Sequence, residues 1–120
     1  MGRQQPRVRR VYDPPEAADG LRVLVDRLWP RGLTKERAEV DEWPKDLTPS
    51  NELRRWYHAD KDARREEFAD RYRGELAAPA AQEALAHLRE EVAKGPVTLV
   101  TANKDLTHSH VPVLVEELSH

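Results

Sequence analysis

Arg22-Val23-Leu24-Val25-Asp26-Arg27-Leu28-Trp29-Pro30-Arg31-Gly32 is the stretch on which the fold turns. Its first part is a compact apolar run. Branched residues stand side by side rather than alternating, as in strands buried on both faces. A strand is therefore expected over residues 22–28. The second part concentrates an acid, two arginines and a tryptophan, and Pro30 and Gly32 supply turn chemistry. In open α/β sheets, ligands bind beyond the carboxyl ends of the strands. The loop is thus a candidate site.

Outward from this stretch, residues 8–11 form a β-favouring run. Pro14 and Pro15 stop it, because proline cannot continue a sheet ladder. Residues 16–20 read as loop. On the other side, Thr34 is placed to cap a short helix from Lys35. Residues 39–43 read as a short strand or a loop. Thr48, Pro49 or Ser50 opens the next helix, with Leu53, Trp56 and Tyr57 on one face. Phe68, Tyr72 and Leu76 recur every four residues behind an expected cap at Asp62, and Pro79 closes that segment. Ala81, Leu85, Leu88 and Val92 make a second stripe. Both stripes are one-sided, so each helix packs on something apolar. Lys94-Gly95-Pro96 reads as a helix stop with Gly95 in a left-handed cap. Residues 97–102 form the last clear strand. Val111, Leu114, Val115 and Leu118 share one side of a final helix.

A strand, a long helical crossover and another strand imply parallel pairing. The expected fold is a small α/β domain over residues 7–120, with a short, mostly parallel sheet flanked by helices. A disordered basic arm is expected at residues 1–6. A chain of 120 residues can bury one core without disulfides or metal. It is 35 % charged, yet its net charge is only −2, so no global cationic field exists to hold nucleic acid. The basic cluster at Arg3, Arg7, Arg9 and Arg10 is the feature that favours nucleic acid, and the balanced charge ranks that reading third. Cysteine is absent, which excludes disulfides, thiolate catalysis and cysteine-based zinc sites. The basic start lacks the apolar segment of a secretory signal, and no apolar stretch is of membrane-spanning length. A cytoplasmic protein is expected. There is no phosphate-binding glycine loop and no nucleophile elbow, and no cofactor is expected.

The last strand ends in Thr101-Ala102-Asn103-Lys104-Asp105-Leu106-Thr107-His108-Ser109-His110, a second apolar strand followed by a polar loop. Parallel strands would bring both loops to one edge. Arg27, Arg31 and Lys104 would then hold an anion, helped by the N–H groups of the following helix. Asp26, Asp105 or His108 would handle protons, and Trp29 would wall the pocket. Each residue also has a structural reading. Asp26 can pair with Arg27 or Arg31 or accept backbone N–H bonds. Arg27 and Arg31 can fix loops. Trp29 can be core with its N–H satisfied. Lys104 can be an exposed loop lysine. His108 and His110 diverge on a helix and are not expected to bind metal. Thr107 is expected to cap the final helix. Arg64-Arg65-Glu66-Glu67 reads as a solvated helix face, and His58, His87 and His120 carry no supporting pattern.

The segments Val11-Tyr12-Asp13-Pro14-Pro15, residues 25–32, Lys45-Asp46-Leu47-Thr48-Pro49-Ser50 and Gly95-Pro96-Val97-Thr98-Leu99-Val100 resemble the YeaO-like proteins, catalogued as domain of unknown function 488. Lys104 and Asp105 match that family's lysine-aspartate pair; Asn103 departs from it. The resemblance implies a small cytoplasmic α/β domain and brings no activity, cofactor or substrate. The leading functional reading is a site for a small anionic ligand, bearing phosphate or carboxylate, at the sheet edge. The alternative is a non-catalytic protein-interaction module. The first reading requires Arg27, Arg31, Lys104 and His108 to share one crevice.

Overall fold

The computed structural model describes residues 5–119. Strands β1 (Arg7–Arg10), β2 (Leu21–Leu24) and β3 (Val97–Thr101) form one sheet in the order β1-β3-β2. Both pairings are parallel, with Val8 and Val23 each opposite Leu99. The strand buried along its whole length, β3, is thus the central one, flanked on both sides. Between β2 and β3 run α1 (Lys35–Ala38), α2 (Asn51–Ala59), α3 (Lys61–Leu76) and α4 (Pro79–Lys94), and α5 (Val111–Leu118) closes the chain. The mostly parallel α/β architecture expected from sequence is the one observed.

Alternating strand residues face opposite sides of the sheet. Val23, Val25, Val97 and Leu99 enter the main core with Tyr57, Phe68, Tyr72, Leu76, Leu85, Leu88 and Leu114 from the helices. Burying each large apolar side chain contributes about 1.5–3 kcal/mol. Val11, Leu24 and Val100 face the other way, into a smaller cluster roofed by Ala38, Trp29, Leu33 and Trp43. Residues 39–43 are a loop held to β2 by a parallel bridge between Val23 and Glu42 and by the Asp41 carboxylate, which accepts from the Arg22 N–H at 2.8 Å.

Several local expectations are corrected. Asp60, not Asp62, caps α3, accepting from the Ala63 N–H. Its extended backbone breaks the chain between α2 and α3. Helix α3 ends at Leu76, and Pro79 opens α4 at its first turn, where proline lacks no needed donor. Gly95 is extended (φ 172°) rather than left-handed. Strand β1 is shifted by one residue, to Arg7–Arg10. Strand β2 stops at Leu24 instead of residue 28, for a reason found at the site.

The disordered arm expected at residues 1–6 falls mostly on residues 1–4, which lie outside the described residues. Arg3 is among these. Arg7 and Arg9 lie in β1 and pair with the buried Asp19, and Arg10 lies over the Tyr12 ring. Asp19 accepts from Arg22 Nη1 at 2.7 Å, Arg9 Nη1 at 2.9 Å and the Glu16 N–H at 3.0 Å. Burial pushes the Asp19 carboxyl up. The Glu16 N–H, Arg22 and Arg9 outweigh it and hold the group below its ordinary value. Among the described residues, no helix is long and apolar enough to cross a membrane.

Candidate functional site

Beyond Leu24 the two strands part. Val25 N–H still donates to Val100 O at 3.1 Å. In a continued parallel ladder the Ala102 N–H would next donate to Val25 O. Side chains take both groups instead. The Asp26 carboxylate accepts from Ala102 N–H at 2.7 Å and from the Thr101 hydroxyl at 2.7 Å. His110 Nε2 donates to Val25 O at 2.6 Å. The ladder therefore ends with no group left unsatisfied, and a cleft of about 430 Å³ opens between the strand ends and α2.

The floor is polar and buried. A carbonyl can only accept, so His110 Nε2 carries the proton and the neutral ring keeps its lone pair on Nδ1. Burial holds the His110 pKa below its ordinary value, although Asp26 (3.7 Å away) and the Val25 carbonyl pull upward. The Tyr72 ring meets His110 edge-on at 5.8 Å. Tyr57 stacks on Phe68 at 4.1 Å, and its hydroxyl donates to His108 O at 2.7 Å. Arg65 Nη1 donates to Ser109 O at 2.8 Å and to the Tyr57 hydroxyl at 3.0 Å. Arg65 is thus a clamp on the loop before α5, not part of a free solvated face.

Of the residues singled out in the sequence, Asp26, Arg27, Trp29, Arg31 and His108 line this cleft; Lys104 and Asp105 do not. The shared crevice is therefore incomplete. Lys104 stands exposed in the loop. Arg27 spends Nε on Pro49 O (3.0 Å) and Nη2 on Thr48 O (3.3 Å), which pins the lead into α2 to the end of β2. Arg31 is exposed; its backbone carbonyl accepts from the Tyr12 hydroxyl at 3.0 Å. Asp26 pairs with neither arginine. Trp29 combines both of its readings: Nε1 donates to Leu33 O at 2.6 Å, its ring packs on Trp43, and it lines the cleft.

Asp105 accepts from the Thr107 and His108 N–H groups and from His108 Nδ1 at 2.5 Å. The His108 bond, chiefly, holds the Asp105 carboxyl below its ordinary value. His108 is thereby oriented with Nε2 as its open edge. Thr107 does not cap α5; the Ser109 hydroxyl accepts from the Val111 N–H. His108 and His110 have their bonded nitrogens committed to different partners, Asp105 and the Val25 carbonyl.

The opposite wall was not recognised in the sequence. Arg54 and His58 stand one turn apart on α2, and Lys61 follows at the start of α3; all three line the cleft. Burial, then Lys61 and Arg54, push the His58 pKa below its ordinary value. The only sequence signal was a basic i, i+4 pair followed by a lysine across a helix break. That pattern is shared by many solvated faces.

A family profile described as "Inactive DUF488-N3 subclade" matches residues 5–120. The chain belongs to the DUF488 family. This DUF488 chain is 47 % identical over 113 residues to the uncharacterized protein Rv3073c of Mycobacterium tuberculosis, covering 94 % of itself and 92 % of that protein. It is 42 % identical over 110 residues to the uncharacterized protein YeaO of Escherichia coli, covering 92 % of itself and 93 % of YeaO. No solved structure matches it.

Proposed function

We propose that the cleft binds a small anionic molecule without turning it over. One observation carries the reading. Arg31, Arg54 and Lys61 ring a cavity in which the one carboxylate, Asp26, is already engaged by a hydroxyl and an N–H. Charge in a concave, partly dry site focuses its field on an incoming anion. Arg31 and Arg54 offer planar forks suited to phosphate or carboxylate. The set differs from the sequence reading: Lys104 drops out and α2 with the start of α3 supplies the second wall. Leu28 (60 % exposed) and Tyr12 (41 % exposed) stand at the rim and suit a ligand with an apolar body. The subclade's description as inactive supports binding without turnover. This reading assigns no proton transfer to Asp26, Asp105 or His108, and it keeps the cytoplasm as the compartment.

The test is a thermal-shift screen of inorganic phosphate, nucleotides and small carboxylates on the native chain, Arg31→Ala and Lys61→Ala. A ligand at a hundred times its Kd stabilises by about 2.7 kcal/mol. An anion should raise the native Tm and lose that effect in both variants. If no anion stabilises the native chain more than the variants, the reading fails. The exposed Leu28 also favours a second reading, a protein-interaction surface at the rim. A co-purifying partner lost in Leu28→Asp, with no anion response, would support it instead.

A further inference from the structure

Away from the cleft, Glu42 from the loop beside β2 meets His87 and Glu91 of α4. We propose that these three residues form a binding site for one divalent transition-metal ion of the zinc type. His87 Nε2 lies 3.2 Å from Glu42 Oε1 and 3.6 Å from Glu91 Oε1. One donor atom from each residue falls within 4.8 Å of the others. Zinc bonds nitrogen and oxygen at about 2.0–2.2 Å, so neighbouring ligand atoms of a tetrahedral ion sit about 3.3–3.5 Å apart. The two spacings from His87 bracket that value. One imidazole and two carboxylates are a borderline donor set, suited to zinc or cobalt rather than magnesium.

Two further observations support the site. Its ligands stand on fixed elements. The Glu42 backbone is bonded to β2 on both sides, from Glu42 N–H to Arg22 O and from Leu24 N–H to Glu42 O. His87 and Glu91 are one turn apart on a sixteen-residue helix. The charge is also unbalanced. Two carboxylates, each under a third exposed, converge on one imidazole. Among the described residues, no lysine or arginine forms an ion pair with either. A cation at the shared point resolves this repulsion. His87 is half exposed, which leaves coordination positions open to water. The ion would fasten α4 to the loop carrying Trp43, whose Nε1 donates to Asp26 O at the cleft.

The untagged full-length chain, stripped with chelator, would be titrated with zinc by calorimetry and with cobalt by visible absorption. One saturable ion per chain is expected, with cobalt bands of low-coordinate geometry. His87→Ala and the isosteric Glu91→Gln should each weaken binding by about tenfold or more. His108→Ala should leave it unchanged, with circular dichroism checking that every variant is folded. No saturable binding, equal binding by His87→Ala, or loss in His108→Ala would each overturn the proposal.

Discussion

Asp19→Asn is the substitution expected to damage the fold most for its size. Asp19 is fully buried and meets three guanidinium groups, from Arg7, Arg9 and Arg22. Arg22 is itself 3 % exposed; its Nε donates to Ala38 O, and its Nη2 has no partner. Asparagine keeps one acceptor oxygen and turns an NH2 toward a guanidinium. The Arg22 charge is then stranded. Removing one partner of a buried pair costs about 3–5 kcal/mol. The half-exposed Arg7 contact adds at most about 1 kcal/mol. Against a total stability of about 5–15 kcal/mol, the loss is large. Urea unfolding followed by tryptophan fluorescence reads it directly. Asp19→Asn combined with Arg22→Met removes the stranded charge and should recover part of the loss. The pH dependence follows from the depressed carboxyl. The native state holds Asp19 ionised below the unfolded value of about 3.9. Its contribution is therefore present above that value and fades as pH falls through the lower folded value. The gap between native and Asp19→Asn chains should close in acid. A loss below about 1 kcal/mol at neutral pH, or a double variant worse than the sum of its parts, would refute the assignment of the cost to a stranded Arg22.

Two other outcomes are expected. Gly20 has φ +62°, and a Cβ there would lie 2.2 Å from Pro96 O, whereas Gly32 has φ +71° with open space around it. Gly20→Ala should therefore cost more than Gly32→Ala, which bears only the left-handed penalty of about 1–2 kcal/mol; equal losses in denaturant titration would rule out the close approach. His110 is held neutral below its ordinary pKa, so the unfolded chain binds more protons as pH drops below about 6.5 and stability falls there. His110→Gln should flatten that slope between pH 7 and pH 5, and an unchanged slope would place its origin elsewhere.

The strands and the packing stripes of the long helices were legible in sequence because apolar runs were punctuated by proline and glycine and the stripes kept helical period. The end of β2 was not. Val25 and Leu28 carry the apolar character onward, and the Asp26 carboxylate and the distant His110 divert the pairing only through residues remote in sequence. The Asp19 cluster was equally hidden, since Arg7 and Arg9 of β1 and Arg22 of β2 meet it from two strands that are not even neighbours in the sheet. In the cleft, residues at strand ends were legible because topology alone carries them to one edge. Arg54, His58 and Lys61 were not, because a polar helix face reads the same whether it meets water or a cavity.

The fork between β2 and β3 also has a kinetic meaning. It is held by contacts spanning 85 residues, from Val25 to His110, and 76 residues, from Asp26 to Ala102. Closing such long loops is entropically slow, and non-local contacts of this kind form late. The floor of the cleft is complete only where His110, at the start of α5, meets Val25. A molecule that binds there selects the finished chain over every partly folded form.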